Sequence, residues 1–100
     1  MHNILLVEDE RLVAIDISLI LKSLPQVEVL LANNANEALA VAQRVSINLI
    51  IMDIRLKDEL DGIQTVERLR QFCDCPVIYL TFSAYQLNPG RHGASFVIVR

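Results

Sequence analysis

Acidic and hydroxyl side chains stand at the ends of short apolar runs in this chain. Glu8 and Asp9 follow "NILLV", Asp53 ends "INLIIMD", and Thr81 ends "CPVIYLT". Carboxylates that converge on one place repel each other and raise one another's pKa unless a cation neutralises them. If these runs are neighbouring strands, their ends therefore predict a site for Mg²⁺, a hard cation that prefers oxygen ligands and binds together with phosphate.

A carboxylate beside Mg²⁺ can act as a nucleophile towards a phosphoryl group. In such a site the hydroxyl of Thr81 could hold a phosphoryl oxygen. Each residue taken singly has a plainer explanation, because the helix dipole favours an acid such as Asp9 at the start of a helix. Polar residues are also common where strands pass into loops. The functional interpretation therefore depends on these residues meeting at one edge of a sheet.

The elements that would position these residues alternate along the chain. Apolar runs predict four strands, over residues 3–7, 27–32, 47–53 and 75–81. Apolar residues at helical spacing predict helices between the strands. The first repeat, before Pro25, is Leu12, Ile15, Leu19 and Ile20. The last repeat, after Gly62, is Ile63, Val66 and Leu69. A middle helix is predicted at Asn34, an N-cap residue with Glu37 three positions on as a capping box.

Alternation of strand and helix predicts a parallel sheet with helices on both faces. In such sheets ligands bind beyond the carboxyl ends of the strands, at the point where the strand order reverses. If the order is 2-1-3-4, the first and third strands are neighbours. Glu8, Asp9 and Asp53 then converge, and Thr81 lies beside them.

Composition excludes several classes of function. The 100 residues, 53% of them hydrophobic, suit a single small domain. All twelve acids lie at or before Asp74, so the body of the chain has no basic stripe of the kind that nucleic-acid binding requires. No apolar run approaches the length of a membrane span and no basic leader precedes the first one, which predicts a cytoplasmic protein. A dinucleotide-binding enzyme is also excluded, because "VEDERL" follows the first strand at the place where such an enzyme would carry its glycine-rich loop.

Three segments, "ILLVEDE", "LIIMDIRLKDELDG" and "PVIYLT", together resemble the receiver domain of two-component response regulators. The spacings agree as well, with 44 residues from Asp9 to Asp53 and 28 from Asp53 to Thr81. The resemblance covers residues 1–81. It implies a flavodoxin-like, doubly wound parallel sheet of order 2-1-3-4, with a fifth strand where the family has one.

The resemblance also implies a role for each residue of the site. Asp53 would accept a phosphoryl group from a sensor histidine kinase or a phosphotransfer protein. Asp9 and Asp53 would bind Mg²⁺ directly, with the backbone carbonyl of Arg55 as a third ligand and Glu8 acting through water. Thr81 would donate a hydrogen bond to the phosphoryl oxygen. The chain would then be a switch that phosphorylates itself and turns over no external substrate.

After Thr81 the chain departs from the family pattern. Phe82 is bulky where the family has a small residue, and Asn88-Pro89-Gly90 favours a turn. A fifth strand over 96–99 would place Arg100 at the position of the family's lysine, as a possible substitute for it. We therefore expect a single receiver domain over 1–100, typical over 1–81 and divergent over 82–100, lacking the final helix.

The missing final helix has a physical consequence. It would leave bare an apolar face over the first and third strands, which predicts self-association as a homodimer. The departures also leave an alternative open, a degenerate receiver that binds proteins without being phosphorylated. A phosphatase of the haloacid-dehalogenase type ranks last, because Arg55 stands where that family has a second acid.

Overall fold

The computed structural model describes residues 1–84 and 92–99, and side chains over residues 1–81. The strands are β1 (His2–Val7), β2 (Val27–Ala32), β3 (Leu49–Asp53), β4 (Val77–Ala84) and β5 (His92–Val99). The helices within these residues are α1 (Arg11–Lys22), α2 (Ala35–Arg44) and α3 (Gly62–Leu69). None of the described helices is long and apolar enough to cross a bilayer.

The strands form one sheet of order β2-β1-β3-β4-β5, and the pairs β1–β2, β1–β3 and β3–β4 are parallel. This confirms the predicted order and the flavodoxin-like arrangement. It also makes β1 and β3 neighbours, the condition on which the predicted convergence of the acids depends.

The fifth strand differs from the family pattern because it runs antiparallel to β4, with Thr81 opposite Ser95 and Val77 opposite Val99. Only residues 85–91 connect the two strands, whereas a parallel crossover needs about a dozen residues or more. The strand therefore ends beside the start of β4, at the opposite end of the sheet from Asp53. Arg100 and the predicted turn at Asn88-Pro89-Gly90 lie outside the described residues.

The sheet has two unequal cores. On one face α2 and α3 cover side chains such as Leu5, Ile50 and Val77, all fully buried. The free thiols Cys73 and Cys75 are buried in this core, in keeping with a filling role. On the opposite face lies a smaller cluster, Ile4, Leu6, Ile51 and Leu80, and Ile17 and Leu21 of α1 pack against it.

The apolar face over β1 and β3 is not bare. Ile4, Leu6 and Ile51 lie on the face that was expected to be uncovered, and they are at most 5% exposed. The expectation of an open patch on this part of the sheet is therefore wrong. Among the described elements, α1 instead carries the largest group of exposed apolar side chains.

α1 turns a different side to the sheet from the one its apolar repeat suggests. The repeat is exposed: Leu12 (78%), Ile15 (44%), Leu19 (64%) and Ile20 (68%). The positions that pack inward are Ala14, Ile17, Ser18 and Leu21. Because apolar residues occur around the whole helix, the spacing predicted the helix correctly but not its buried side. We call Leu12, Ile15, Leu19 and Ile20 the α1 apolar surface.

Candidate functional site

The carboxyl ends of β1 and β3 bring three acids together. Val7, the last residue of β1, lies opposite Met52, so the residues that follow each strand share one edge of the sheet. Carboxylate oxygens of Glu8, Asp9 and Asp53 lie within 4.8 Å of one another. They open into a cavity of about 200 Å³. The cavity, here called the acidic pocket, is lined by Glu8, Asp9, Glu10, Asp53, Arg55 and Lys57.

Backbone amides fix the orientation of each carboxylate. The amide of Glu10 donates to Oε2 of Glu8 at 3.1 Å. The amide of Arg55 donates to Oδ1 of Asp53 at 2.9 Å, and that of Lys57 to Oδ2 of Asp9 at 2.8 Å. The acids therefore lie in defined positions at the end of the sheet.

The acidic pocket shifts the pKa of Glu8. Its side chain is 1% exposed. Burial, followed by hydrogen bonding with Asp53, raises the pKa of Glu8 to about 8. The negative charge of Asp53 acts in the same direction, while the hydrogen bond from the Glu10 amide opposes it. In this arrangement Glu8 keeps a proton at neutral pH, because burial first and the neighbouring Asp53 second disfavour its ionised form.

The donor set fits Mg²⁺. All the side-chain donors that meet are carboxylate oxygens, which suit a small hard cation better than a soft one. A divalent ion at this place would offset the repulsion that holds the proton on Glu8. The pocket also opens to solvent, so an ion could keep water ligands as Mg²⁺ commonly does.

Gly62 positions the backbone of the central acid. A Cβ at this residue would lie 2.3 Å from the carbonyl oxygen of Asp53 and 2.9 Å from Cα of Ile54. Only glycine allows so close an approach between the start of α3 and the end of β3. The helix begins here as predicted, with Asp61 as N-cap and Gln64 completing a capping box.

Thr81 lies at the same edge of the sheet as the acids. The residue before it, Leu80, is opposite Asp53 in the pairing of β3 with β4. The carbonyl of Leu80 also accepts a hydrogen bond from the amide of Ile54 at 3.1 Å. Thr81 is therefore one residue beyond the level of Asp53 on the adjacent strand, and it is half-buried.

Two contacts of the β3–α3 loop, residues 54–61, were not predicted from the sequence. Lys57 approaches Asp9 through its backbone amide, and Asp58 accepts a hydrogen bond from the amide of Ala35 at 2.9 Å. These pairs are 48 and 23 residues apart. The sequence carries no local signal for either contact, because each exists only once the strands are in order.

At the start of α2 the sequence pattern was nearly right. Asn34 is the N-cap, and its side chain accepts a hydrogen bond from the amide of Glu37 at 2.9 Å. Glu37 reaches back one residue further than a capping box requires, to the amide of Asn33. The predicted cap is confirmed, and its second hydrogen bond is shifted by one residue.

A family model for the response regulator receiver domain matches residues 4–92. The chain belongs to this family. The receiver domain is a module of two-component signal transduction, and the acidic pocket at the end of its sheet is the feature that the sequence predicted.

Among characterised relatives, the transcriptional regulatory protein CpxR of Klebsiella pneumoniae is 35% identical over 91 residues. The aligned region covers 88% of this chain and 37% of CpxR. The chain thus spans little more than a third of the relative's length, and the relative's other properties do not transfer to it directly.

Solved receiver domains share the fold at similar identity. The signal receiver domain of a modulated diguanylate cyclase from Desulfovibrio desulfuricans, described as an example of alternate folding, superposes with a TM-score of 0.77 at 34% identity. The match covers 87% of this chain and 69% of that one. The anti-anti-sigma factor PhyR of Bartonella quintana, in complex with the anti-sigma factor NepR, gives a TM-score of 0.75 at 32% identity. That match covers 98% of this chain and 41% of PhyR.

Proposed function

We propose that this receiver domain accepts a phosphoryl group on Asp53 from a phosphohistidine of a sensor histidine kinase or phosphotransfer protein. A carboxylate oxygen of Asp53 attacks the phosphorus, the new O–P bond forms as the P–N bond breaks, and the imidazole leaves. The observation that carries the proposal is the meeting of Glu8, Asp9 and Asp53 within 4.8 Å at the open end of the sheet.

The other residues of the pocket have supporting roles in this proposal. Asp9 and Asp53 would hold Mg²⁺ together with the backbone carbonyl of Arg55, with Glu8 acting through water. The bound ion would supply positive charge to the phosphoryl oxygens. Thr81 would donate its hydroxyl to a phosphoryl oxygen, since it lies beside Asp53 on the adjacent strand. Arg100, outside the described residues, stays a prediction as the substitute for the family's lysine.

The test uses acetyl phosphate as a small phosphoryl donor. The full chain is incubated with Mg²⁺ and acetyl phosphate, and its intact mass is measured, with Asp53→Asn as the control variant. The expected result is a single phosphoryl adduct that requires Mg²⁺ and is absent from Asp53→Asn. Labelling that persists in the variant would place the phosphoryl group elsewhere and refute the proposal.

The alternative is a degenerate receiver that binds a protein partner without phosphorylation. The observation that favours it is the antiparallel β5, whose last residue lies opposite the start of β4 and away from Asp53. PhyR, a relative of similar identity, is itself seen in complex with a protein, NepR. Mg²⁺ binding without any phosphoryl adduct would favour this alternative.

A homodimer is the second part of the proposal. The α1 apolar surface supports it, because Leu12, Leu19 and Ile20 are each more than 60% exposed on one helix. Exposed apolar area of this kind is typical of contact surfaces. Light scattering after size exclusion is expected to show a dimer, and a monomer across the accessible concentrations would refute it.

A further inference from the structure

The β3–α3 loop is held partly by the acidic pocket itself. The amide of Arg55 donates to Asp53 and the amide of Lys57 donates to Asp9. Both acceptors are carboxylates that a metal ion would also bind. An ion at these carboxylates would draw on the negative charge that attracts the two amides and so weaken both hydrogen bonds, which are therefore poor anchors for the loop when the ion is bound.

A second set of contacts of the β3–α3 loop does not involve the acidic pocket. Leu56 is 4% exposed and packs into the core covered by α2 and α3. Oδ2 of Asp58 accepts a hydrogen bond from the amide of Ala35, the first residue of α2, at 2.9 Å. Oδ1 of Asp58 accepts from the amide of Glu59 at 2.8 Å. These contacts tie the loop to the core and to the start of a helix whatever the pocket contains.

The charge of Asp58 suits this role. The hydrogen bond from Ala35, and after it that from Glu59, lowers the pKa of Asp58 below its ordinary value. Its carboxylate is therefore ionised at neutral pH. A negative charge at the start of α2 also interacts favourably with the helix dipole. The same carboxylate thus caps a helix and closes the loop that carries Arg55.

We infer that Asp58 is a positioning residue for the Mg²⁺ site of the proposed function. By holding the loop on the start of α2, it keeps the backbone carbonyl of Arg55 at the pocket when the ion takes the carboxylates of Asp9 and Asp53. The inference rests on the proposed function only for the identity of the ion. Its consequence is that Asp58, outside the pocket, sets the affinity for Mg²⁺.

The experiment measures Mg²⁺ binding to the full chain by calorimetry, and independently by the rise in Tm with Mg²⁺ concentration. Three variants are compared with the parent: Asp58→Ala, Asp58→Asn and Glu59→Ala. Asp58→Ala is expected to weaken Mg²⁺ binding about tenfold, the lower end of the range for groups that orient metal ligands. Asp58→Asn should recover most of the loss, because its amide oxygen can still accept from Ala35.

Glu59→Ala is the matched control. It removes the same charge from the adjacent exposed position, and within the described residues the Glu59 carboxylate makes no hydrogen bond. Parent-like affinity in this control is expected. A loss equal to that of Asp58→Ala would show a general effect of charge and overturn the inference.

Two further outcomes separate this inference from the proposed function. If Asp58→Ala lowers Tm without Mg²⁺ but binds Mg²⁺ as the parent does, Asp58 only stabilises α2 and the inference fails. If the parent binds Mg²⁺ but Asp53 takes no phosphoryl group, the proposed function fails while the affinities still decide the role of Asp58. A parent that binds no Mg²⁺ overturns both.

Discussion

On one face of the sheet, the core that includes α2 and α3 contains fifteen buried side chains, whereas the core on the opposite face, where α1 packs, contains four, counted over the described residues. Both faces are apolar in the sequence, since β1 and β3 are continuous apolar runs. The difference arises in the helices. α2 and α3 bury side chains such as Val41 and Leu69, although Ile63 of the predicted α3 stripe is 47% exposed. α1 leaves its most apolar stripe in solvent.

This difference separates stability from association. Buried apolar area stabilises the fold roughly in proportion to its extent, so the face under α2 and α3 should contribute most of the folding free energy. The α1 apolar surface contributes little in the monomer and is available to a second chain. The acidic pocket lies at the edge where both faces end, so its geometry depends on the sheet as a whole.

The largest expected effect on the free energy of unfolding comes from a substitution in the core under α2 and α3. Leu69 in α3 is fully buried, and Leu69→Ala should lower the free energy of unfolding by about 2–5 kcal/mol. Leu19→Ala on α1, where the side chain is 64% exposed, should change the free energy of unfolding of the monomer by less than about 0.5 kcal/mol. Urea unfolding followed by circular dichroism measures both. Equal losses would show that the two faces do not differ in the way described.

A smaller loss is expected where α3 meets β3. Gly62→Ala places a Cβ 2.3 Å from the carbonyl oxygen of Asp53, and relieving that overlap should cost about 1–3 kcal/mol. Because the strain falls on the backbone of Asp53, the rate of labelling by acetyl phosphate should fall as well. Ile63→Ala, at a half-exposed neighbouring position, should leave that rate unchanged. Parent-like stability of Gly62→Ala would contradict the close approach.

At the edge between the faces, Glu8 predicts a dependence of stability on pH. The folded protein without metal keeps a proton on Glu8 up to about pH 8, whereas an unperturbed glutamate loses it near 4.5. Between these values the folded state binds more protons, so the free energy of unfolding should fall as pH rises. Unfolding in the presence of a chelator measures this slope, and Glu8→Gln should flatten it. If the free energy of unfolding rises over this pH range in the parent but not in Glu8→Gln, the raised pKa of Glu8 is contradicted.

The smallest effect on folding is expected from a charge on the exposed face. Leu19→Asp should leave the free energy of unfolding of the monomer nearly unchanged but shift the chain from dimer to monomer, because it places a charge in the α1 apolar surface. Light scattering after size exclusion detects the shift. Glu67→Gln, an exposed polar change on α3 at the opposite face of the sheet, serves as the control and should leave the dimer intact.

Much of the first 81 residues could be predicted from local patterns. Apolar runs located β1 to β4, and Asn34 and Gly62 located the starts of α2 and α3 correctly. Parallel order then placed Asp53 beside Glu8 and Asp9, because consecutive strands and helices permit few arrangements. The roles of these residues in phosphorylation stay predictions, as does the division of the chain at residue 81.

Other features could not be predicted in this way. The buried side of α1 could not be predicted because its apolar residues surround the helix, so that spacing alone does not distinguish the inward side. The direction of β5 depends on the length of the connection to β4 rather than on the composition of the strand. The contact of Asp58 with Ala35 joins residues 23 apart and has no pattern of its own.

The sequence by itself determined the elements and the acids at their ends, because hydrophobic period and capping residues act over a few neighbouring positions. Only the tertiary structure decided which side of α1 is exposed and how Asp58 holds the β3–α3 loop. Those features depend on contacts between residues that are distant in the chain, and such contacts form only when the strands pair and the helices pack against the sheet.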